Sequence, residues 1–295
     1  MPKNRATAAD RFYGQFFCRF EPRRQQPEQP HQDTTRELPG NPEQYKDDAA
    51  AFARDYLAFT PDDRQTELLV APALHHKRTI INWGRQCGKS TVLAIRILHL
   101  ALIRKPKALI VIVGGRGVHT SELMQKIDEF IDALGWTKCP AIAGREISRR
   151  LPNGSRIVTA TTPSVGRCNS ADLLVFDEAA VIRDSVWMTA FPTIAATSGS
   201  IIVASTPGGT SGLFYDIWNN TENRFPEWIR SRRTAAETPR IAPEIIDEAR
   251  RLKGRAYADQ EFLCEFRDNG QTLLKRADLE RLFGMKPSGN ATEEK

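Results

Sequence analysis

Cysteine is scarce and unpaired in this chain of 295 residues: Cys18, Cys87, Cys139, Cys168 and Cys264 form an odd set of 5 with no close spacing. That pattern argues against a disulfide framework and against a four-ligand zinc site, and leads us to expect a reducing cytoplasm. Long apolar runs are missing as well. Among the longest is Ala108-Leu109-Ile110-Val111-Ile112-Val113, far short of the roughly 20 residues a membrane-spanning helix needs. The stretch from Met1 to Phe20 mixes charges with aromatics and has no continuous apolar core, so no secretory signal is read and no membrane partner is expected. Neither sign of charge dominates: 42 Lys and Arg face 36 Asp and Glu, a net charge of +6. No internal repeat is visible.

What is present is chemistry for phosphate. Trp83-Gly84-Arg85-Gln86-Cys87-Gly88-Lys89-Ser90 follows the apolar run Thr79-Ile80-Ile81-Asn82-Trp83 and leads into the helix-like run Thr91-Val92-Leu93-Ala94-Ile95-Arg96-Ile97-Leu98. Strand, loop and helix in this order form the setting of a phosphate-binding loop, in which successive backbone N–H groups and a helix N-terminus cradle phosphate oxygens. Lys89 would reach the β and γ phosphates, and the Ser90 hydroxyl would ligate Mg²⁺. The loop residues Gly84, Arg85, Gln86, Cys87, Gly88, Lys89, Ser90 and Thr91 are therefore expected to hold ATP. The head of the motif is irregular: the position five before Gly88 is Trp83, and the glycine comes one place later.

A second signal stands 88 positions after Lys89, where Leu173-Leu174-Val175-Phe176 runs straight into Asp177-Glu178. Four apolar residues followed by two acids fit a buried strand with carboxylates at its tip. Asp177 would hold the Mg²⁺ shell, and Glu178 would polarise the attacking water. A third run, Ser200-Ile201-Ile202-Val203-Ala204-Ser205-Thr206-Pro207, ends in hydroxyls before a breaker. Parallel sheets present ligands at the carboxyl ends of their strands, which would place Ser205 and Thr206 beside the γ-phosphate.

These residues resemble the large terminase subunits of tailed bacteriophages, the motors that pump DNA into capsids. The Arg-Gln before x-Gly-Lys-Ser, the Asp-Glu-Ala-Ala ending and Ser205-Thr206-Pro207 followed by Gly212-Leu213-Phe214-Tyr215-Asp216-Ile217-Trp218 are similar to that family's motifs, over roughly residues 45 to 270. The resemblance implies that Gln65 reads adenine. It also implies that Arg116, in Gly114-Gly115-Arg116-Gly117, reaches a neighbouring subunit's nucleotide in a homo-oligomeric ring; Arg85 is the alternative arginine, acting in cis, and Arg167 a third. Double-stranded DNA, a portal protein and a small terminase subunit are the implied partners, in the host cytoplasm. The family's second, ribonuclease-H-like domain has no counterpart here, so no nuclease activity is expected of this chain, and cutting is expected from a separate nuclease polypeptide or not at all. The other readings in play are a helicase-type DNA-dependent ATPase and a non-catalytic prophage remnant binding DNA or capsid partners.

The remaining expectations concern organisation. Residues 1–44 read as a flexible N-terminal tail, 45–270 as one P-loop ATPase domain, and 271–295 as a short C-terminal tail. Alternating strand and helix signals through Thr79–Trp83, Lys89–Arg104, Ala108–Val113 and Val118–Leu134 predict an α/β fold with a mainly parallel sheet flanked by helices, of the additional-strand, catalytic-Glu type. Asn153-Gly154 predicts a hairpin within Glu146–Thr161. Positive charge gathers in Arg145–Arg156, with four arginines to one acid, and in Arg224–Arg255, with nine bases to five acids and the run Arg230-Ser231-Arg232-Arg233. Such clusters would grip duplex phosphates without reading sequence.

Overall fold

The apolar runs become the centre of one eight-stranded sheet. The computed structural model describes residues 38, 40–114, 117–136, 139–143, 146–160 and 170–267. The chain divides into two units, Met1–Thr35 and Arg36–Lys295, and all described residues belong to the second. Most of the N-terminal tail of the sequence reading (all but residues 38 and 40–44), the whole of its C-terminal tail 271–295, Arg116 and Arg167 lie outside the described residues.

The strands are β1 (Arg78–Trp83), β2 (Leu109–Gly114), β3 (Cys139–Ala143), β4 (Glu146–Arg150), β5 (Arg156–Ala160), β6 (Leu173–Asp177), β7 (Ser200–Ser205) and β8 (Ile229–Arg233). They lie in the order β3-β4-β5-β2-β6-β7-β1-β8. From β5 to β8 every neighbouring pair is parallel; β3, β4 and β5 form an antiparallel meander that includes the predicted hairpin. β7 separates the strand leading into the phosphate loop (β1) from the acid-tipped strand (β6), which is the additional-strand arrangement of a P-loop NTPase.

The central strands read as continuous apolar runs because both faces are covered. Alternate residues enter opposite cores. Ile81, Ile110, Ile112, Val175 and Ile202 pack with Phe52, Leu93, Ile97 and Leu123 on one face. Ile80, Val111, Val113, Phe176 and Val203 pack with Trp187 and Phe214 on the other. The first face is covered by α1 (Ala49–Tyr56), α3 (Lys89–His99) and α4 (Gly117–Ala133), and the second by α5 (Asp184–Ala190) and α6 (Leu213–Asn219). The short α2 (Asp63–Glu67) precedes β1, while α7 (Pro243–Lys253) and α8 (Arg255–Leu263) follow β8.

β8 departs from expectation. Its sequence, Ile229-Arg230-Ser231-Arg232-Arg233, reads as a charged surface but forms the parallel edge strand beside β1. Arg230 donates to the carbonyls of Ile217, Trp218, Phe225 and Trp228. Arg233, 1% exposed, makes two 2.9 Å bonds to the Asp62 carboxylate and lies 5.3 Å from the Trp83 ring. Arg232 bonds Leu263 O and Glu265. These arginines knit the fold together, Arg230 and Arg233 through buried or half-buried acceptors, while the Arg232 side chain stays 46% exposed. In the other cluster, Arg149 is held by both oxygens of Asp128 at 2.7 Å, leaving Arg150 and Arg156 as its exposed members among the described residues.

Candidate nucleotide site

β1 ends at Trp83 and α3 begins at Lys89; the residues between them form the loop. Gly88 caps α3 in a left-handed conformation (φ 93°, ψ 24°), which a side chain tolerates poorly. A Cβ there would also meet Gln65 Nε2 at 2.4 Å and Arg240 Nη2 at 2.8 Å. Lys89 Nζ donates to Trp83 O (3.0 Å) and Gly84 O (3.2 Å), which fixes the ammonium over the loop. An ammonium has three donors, so this geometry leaves one for a phosphate oxygen.

The displaced glycine has a packing cause. A Cβ on Gly84 would come within 2.7 Å of Phe262 O and 3.3 Å of both Ala235 N and Glu261 O. Gly84 is thus small because α8 and the chain after β8 press on it, and it does not line the pocket. Gly84 N donates to Arg233 O, and Arg85 N to Glu261 O. Trp83, in the usual glycine position, is fully buried and donates its indole N–H to Ser231 Oγ (2.9 Å).

A cavity of about 580 Å³ lies over the loop, lined by Phe59, Gln65, Arg85, Gln86, Gly88, Lys89, Ser90, Thr91, Glu122, Glu178, Thr206 and Arg240. A second cavity, of about 570 Å³, opens near Arg78 and Ile201, at the amino ends of β1 and β7. Parallel α/β sheets bind ligands at the carboxyl ends, which favours the first.

At the tip of β6, Asp177 is 4% exposed. Burial and, next, the Glu178 carboxylate push its carboxyl up to about 7, with Lys89 acting the other way. A buried carboxylate so placed, together with the Ser90 hydroxyl at the start of α3, is an all-oxygen donor set that suits a hard divalent cation. Glu178 itself adopts the left-handed conformation (φ 52°, ψ 44°), and its N–H donates to Asp177 Oδ1 at 3.1 Å. A non-glycine residue held there stores strain, and such residues gather at functional sites.

Two predicted residues take other places. Cys87 is fully buried with its thiol near Thr238 Oγ1 (3.4 Å), so only its backbone belongs to the loop. Ser205, 1% exposed, points its hydroxyl at Ala180 N (3.2 Å), tying β7 to the segment after Glu178. Thr206 does reach the cavity. Arg85 lines the cavity but is engaged by Glu261 (Nε to Oε2 2.9 Å), and that bond holds its guanidinium above the ordinary arginine range. Arg240, Phe59 and Glu122 also line the cavity. None stood out in the sequence, where Arg240 looks like one base among many.

With this geometry in hand, known proteins give a consistent picture. The family model described as Terminase large subunit, T4likevirus-type, N-terminal, matches residues 80–281. The terminase large subunit of Escherichia phage T5 is 29% identical over 123 residues, which take in 39% of this chain and 28% of that protein; the match thus covers little more than a quarter of the relative's length. The ATPase domain of the Thermus phage P74-26 large terminase superposes with a TM-score of 0.57 at 18% identity, covering 73% of this chain and 97% of that one. The large terminase of another thermophilic bacteriophage, solved in complex with ADP, gives 0.60 at 11% identity over 70% and 54% of the two chains. The HK97 bacteriophage large terminase gives 0.59 at 15% identity over 74% and 54%. At such identities these structures establish the fold.

Proposed function

The chain belongs to the large terminase subunits, its residues 80–281 matching the family's T4likevirus-type N-terminal part, and from that premise we propose that it is an ATP-hydrolysing motor subunit that drives double-stranded DNA into a phage or prophage capsid. The observation that carries this reading is the meeting of Lys89, Ser90, Thr91, Glu178 and Thr206 around one cavity at the carboxyl ends of β1, β6 and β7.

In this reading the loop amides and Lys89 bind the β and γ phosphates. Mg²⁺, held by Ser90 and Asp177, would neutralise charge on the phosphate oxygens. Glu178 orients the attacking water and takes up its proton on the side-chain carboxylate. Arg85, on the cavity wall and paired with Glu261, is the cis candidate; Arg116 is the candidate from a neighbouring copy in a ring. Portal protein and small terminase subunit are the proposed partners, in the cytoplasm of the bacterial host.

The test is steady-state ATP hydrolysis by the purified chain, with and without duplex DNA, at low and moderate salt. Stimulation that fades with salt is expected, since phosphate contacts release counterions. Glu178→Gln should bind ATP but lose turnover by at least ~100-fold, while Lys89→Ala should weaken binding. Undiminished hydrolysis in Glu178→Gln would remove the proposed base.

A further inference from the structure

Asn82 is the polar residue of β1 to which the nucleotide reading gives no task. It sits one place before Trp83, is fully buried, and neither end of its side-chain amide has a hydrogen-bond partner among the described residues. An asparagine side chain carries an acceptor oxygen and two N–H donors. Burying them unpaired costs folding free energy that an aliphatic side chain would not lose, and buried polar groups in native proteins are normally satisfied. A group kept in that condition points to a use.

Register shows what Asn82 faces. Ile81 and Trp83 enter one core, and Ile80 and Asn82 alternate with them toward the core of Phe176, Val203 and Phe214. On that face Asn82 is level with Ser205 of β7 on one side and with Arg232 of β8 on the other. Arg232 is engaged by Leu263 O and Glu265. Ser205, 1% exposed, accepts from Ala180 N at 3.2 Å, which leaves its own O–H to donate. Adjacent strands lie about 4.8 Å apart, a gap that a rotamer change in either side chain can close.

Both ends of this rung lead into the site. Lys89 Nζ holds the carbonyls of Trp83 and Gly84, the two residues after Asn82. Ala180 follows Glu178 by two places. We propose that Asn82 is a positioning residue for ATP hydrolysis: when phosphate draws Lys89 from those carbonyls, the end of β1 relaxes and the Asn82 amide oxygen accepts the Ser205 hydroxyl, which locks β7 to β1 and holds the turn from Glu178 to Ala180 in its catalytic aim. Asn82 touches neither nucleotide nor attacking water and acts through Ser205. The inference rests on the ATP-hydrolysis reading above and names the route by which occupancy of the phosphate loop reaches the glutamate.

The experiment compares wild type, Asn82→Val, Ser205→Ala and the double variant as full chains, by melting temperature, affinity for a ribose-labelled fluorescent ADP, and turnover at saturating ATP. Asn82→Val should melt no lower than wild type, because it removes an unpaired amide from the core. It should hold nucleotide within ~2-fold and lose ~10-fold or more in kcat, the pattern of a group that serves the catalytic step alone. In the Ser205→Ala background the same change should cost less than ~2-fold, since its partner is already gone. Asn82→Ala, which cannot overpack the core, should repeat both results. Wild-type kcat in the two Asn82 variants would overturn the proposal. So would a lowered melting temperature with matched losses of binding and turnover, the mark of a structural asparagine, or full additivity in the double variant. A wild-type chain without turnover would sink the motor reading together with this inference, whereas an active wild type with equally active Asn82 variants sinks this inference alone.

Discussion

His99 shows what one buried side chain can ask of the fold. It is fully buried near the end of α3, and its Nε2 donates to Tyr45 O at 2.7 Å. Nδ1 is buried with no hydrogen-bond partner among the described residues. Burial pushes the imidazole down to about 4 from 6.5, and the nearby Arg104 and Arg96 add to the effect. The folded-state value is the lower one, so between pH 6.5 and 4 the unfolded chain binds a proton that the folded chain refuses. Stability from this group is therefore unchanged above about pH 7 and falls as the pH drops through that window, by up to ~3 kcal/mol. Urea denaturation at about pH 7.5, 6 and 5 should show that slope, and His99→Gln, which keeps a donor for Tyr45 O, should flatten it. An equal slope in the variant would rule out His99 as its source.

At the scale of elements, legibility in the sequence tracked burial. β1, β6 and β7 were readable because helices cover both faces of the sheet, and continuous apolar runs before Gly84, Asp177 and Ser205 have few other uses. Neither the short strand β3 nor β8 was read as a strand, the latter because its arginines signal solvent until their acceptors are known. Those acceptors are mostly carbonyls of loops and helix ends that no local pattern announces. Gly84 and Arg240 were obscure for the same reason: the first answers to Phe262 O, and the second reaches the loop from far along the chain. A clear expectation follows for β8. Arg230→Ala strands several carbonyls, and Arg233→Ala removes the partner of Asp62, so both should lower stability by ~2–4 kcal/mol. The slope of DNA affinity against salt should stay as in the wild type, because neither residue would be touching phosphate. Thermal melts and salt titrations on the same preparations would separate the two roles; unchanged melting with a shallower salt slope would restore the grip reading.

Across the whole molecule the phosphate loop, α8, the end of β7 and the tip of β6 close into one circuit. Glu261 of α8 holds Arg85, and the adjacent Gln260 donates to Pro207 O at 3.0 Å, just beyond β7. Ser205 at the end of β7 accepts from Ala180 N, two residues past Glu178. Through that last bond β7 steadies the left-handed backbone that aims Glu178, whose φ of 52° costs ~1 kcal/mol to hold. Ser205→Ala cuts the circuit without touching the cavity wall. The Lys89 cradle stays intact, so nucleotide affinity should hold within ~2-fold, while kcat falls by ~10- to 100-fold as the carboxylate loses its alignment with the water. Equal losses in binding and turnover would mean that Ser205 supports the pocket as a whole; an unchanged kcat would mean that the strand order alone aims Glu178, with the hydroxyl bond to Ala180 contributing nothing to catalysis.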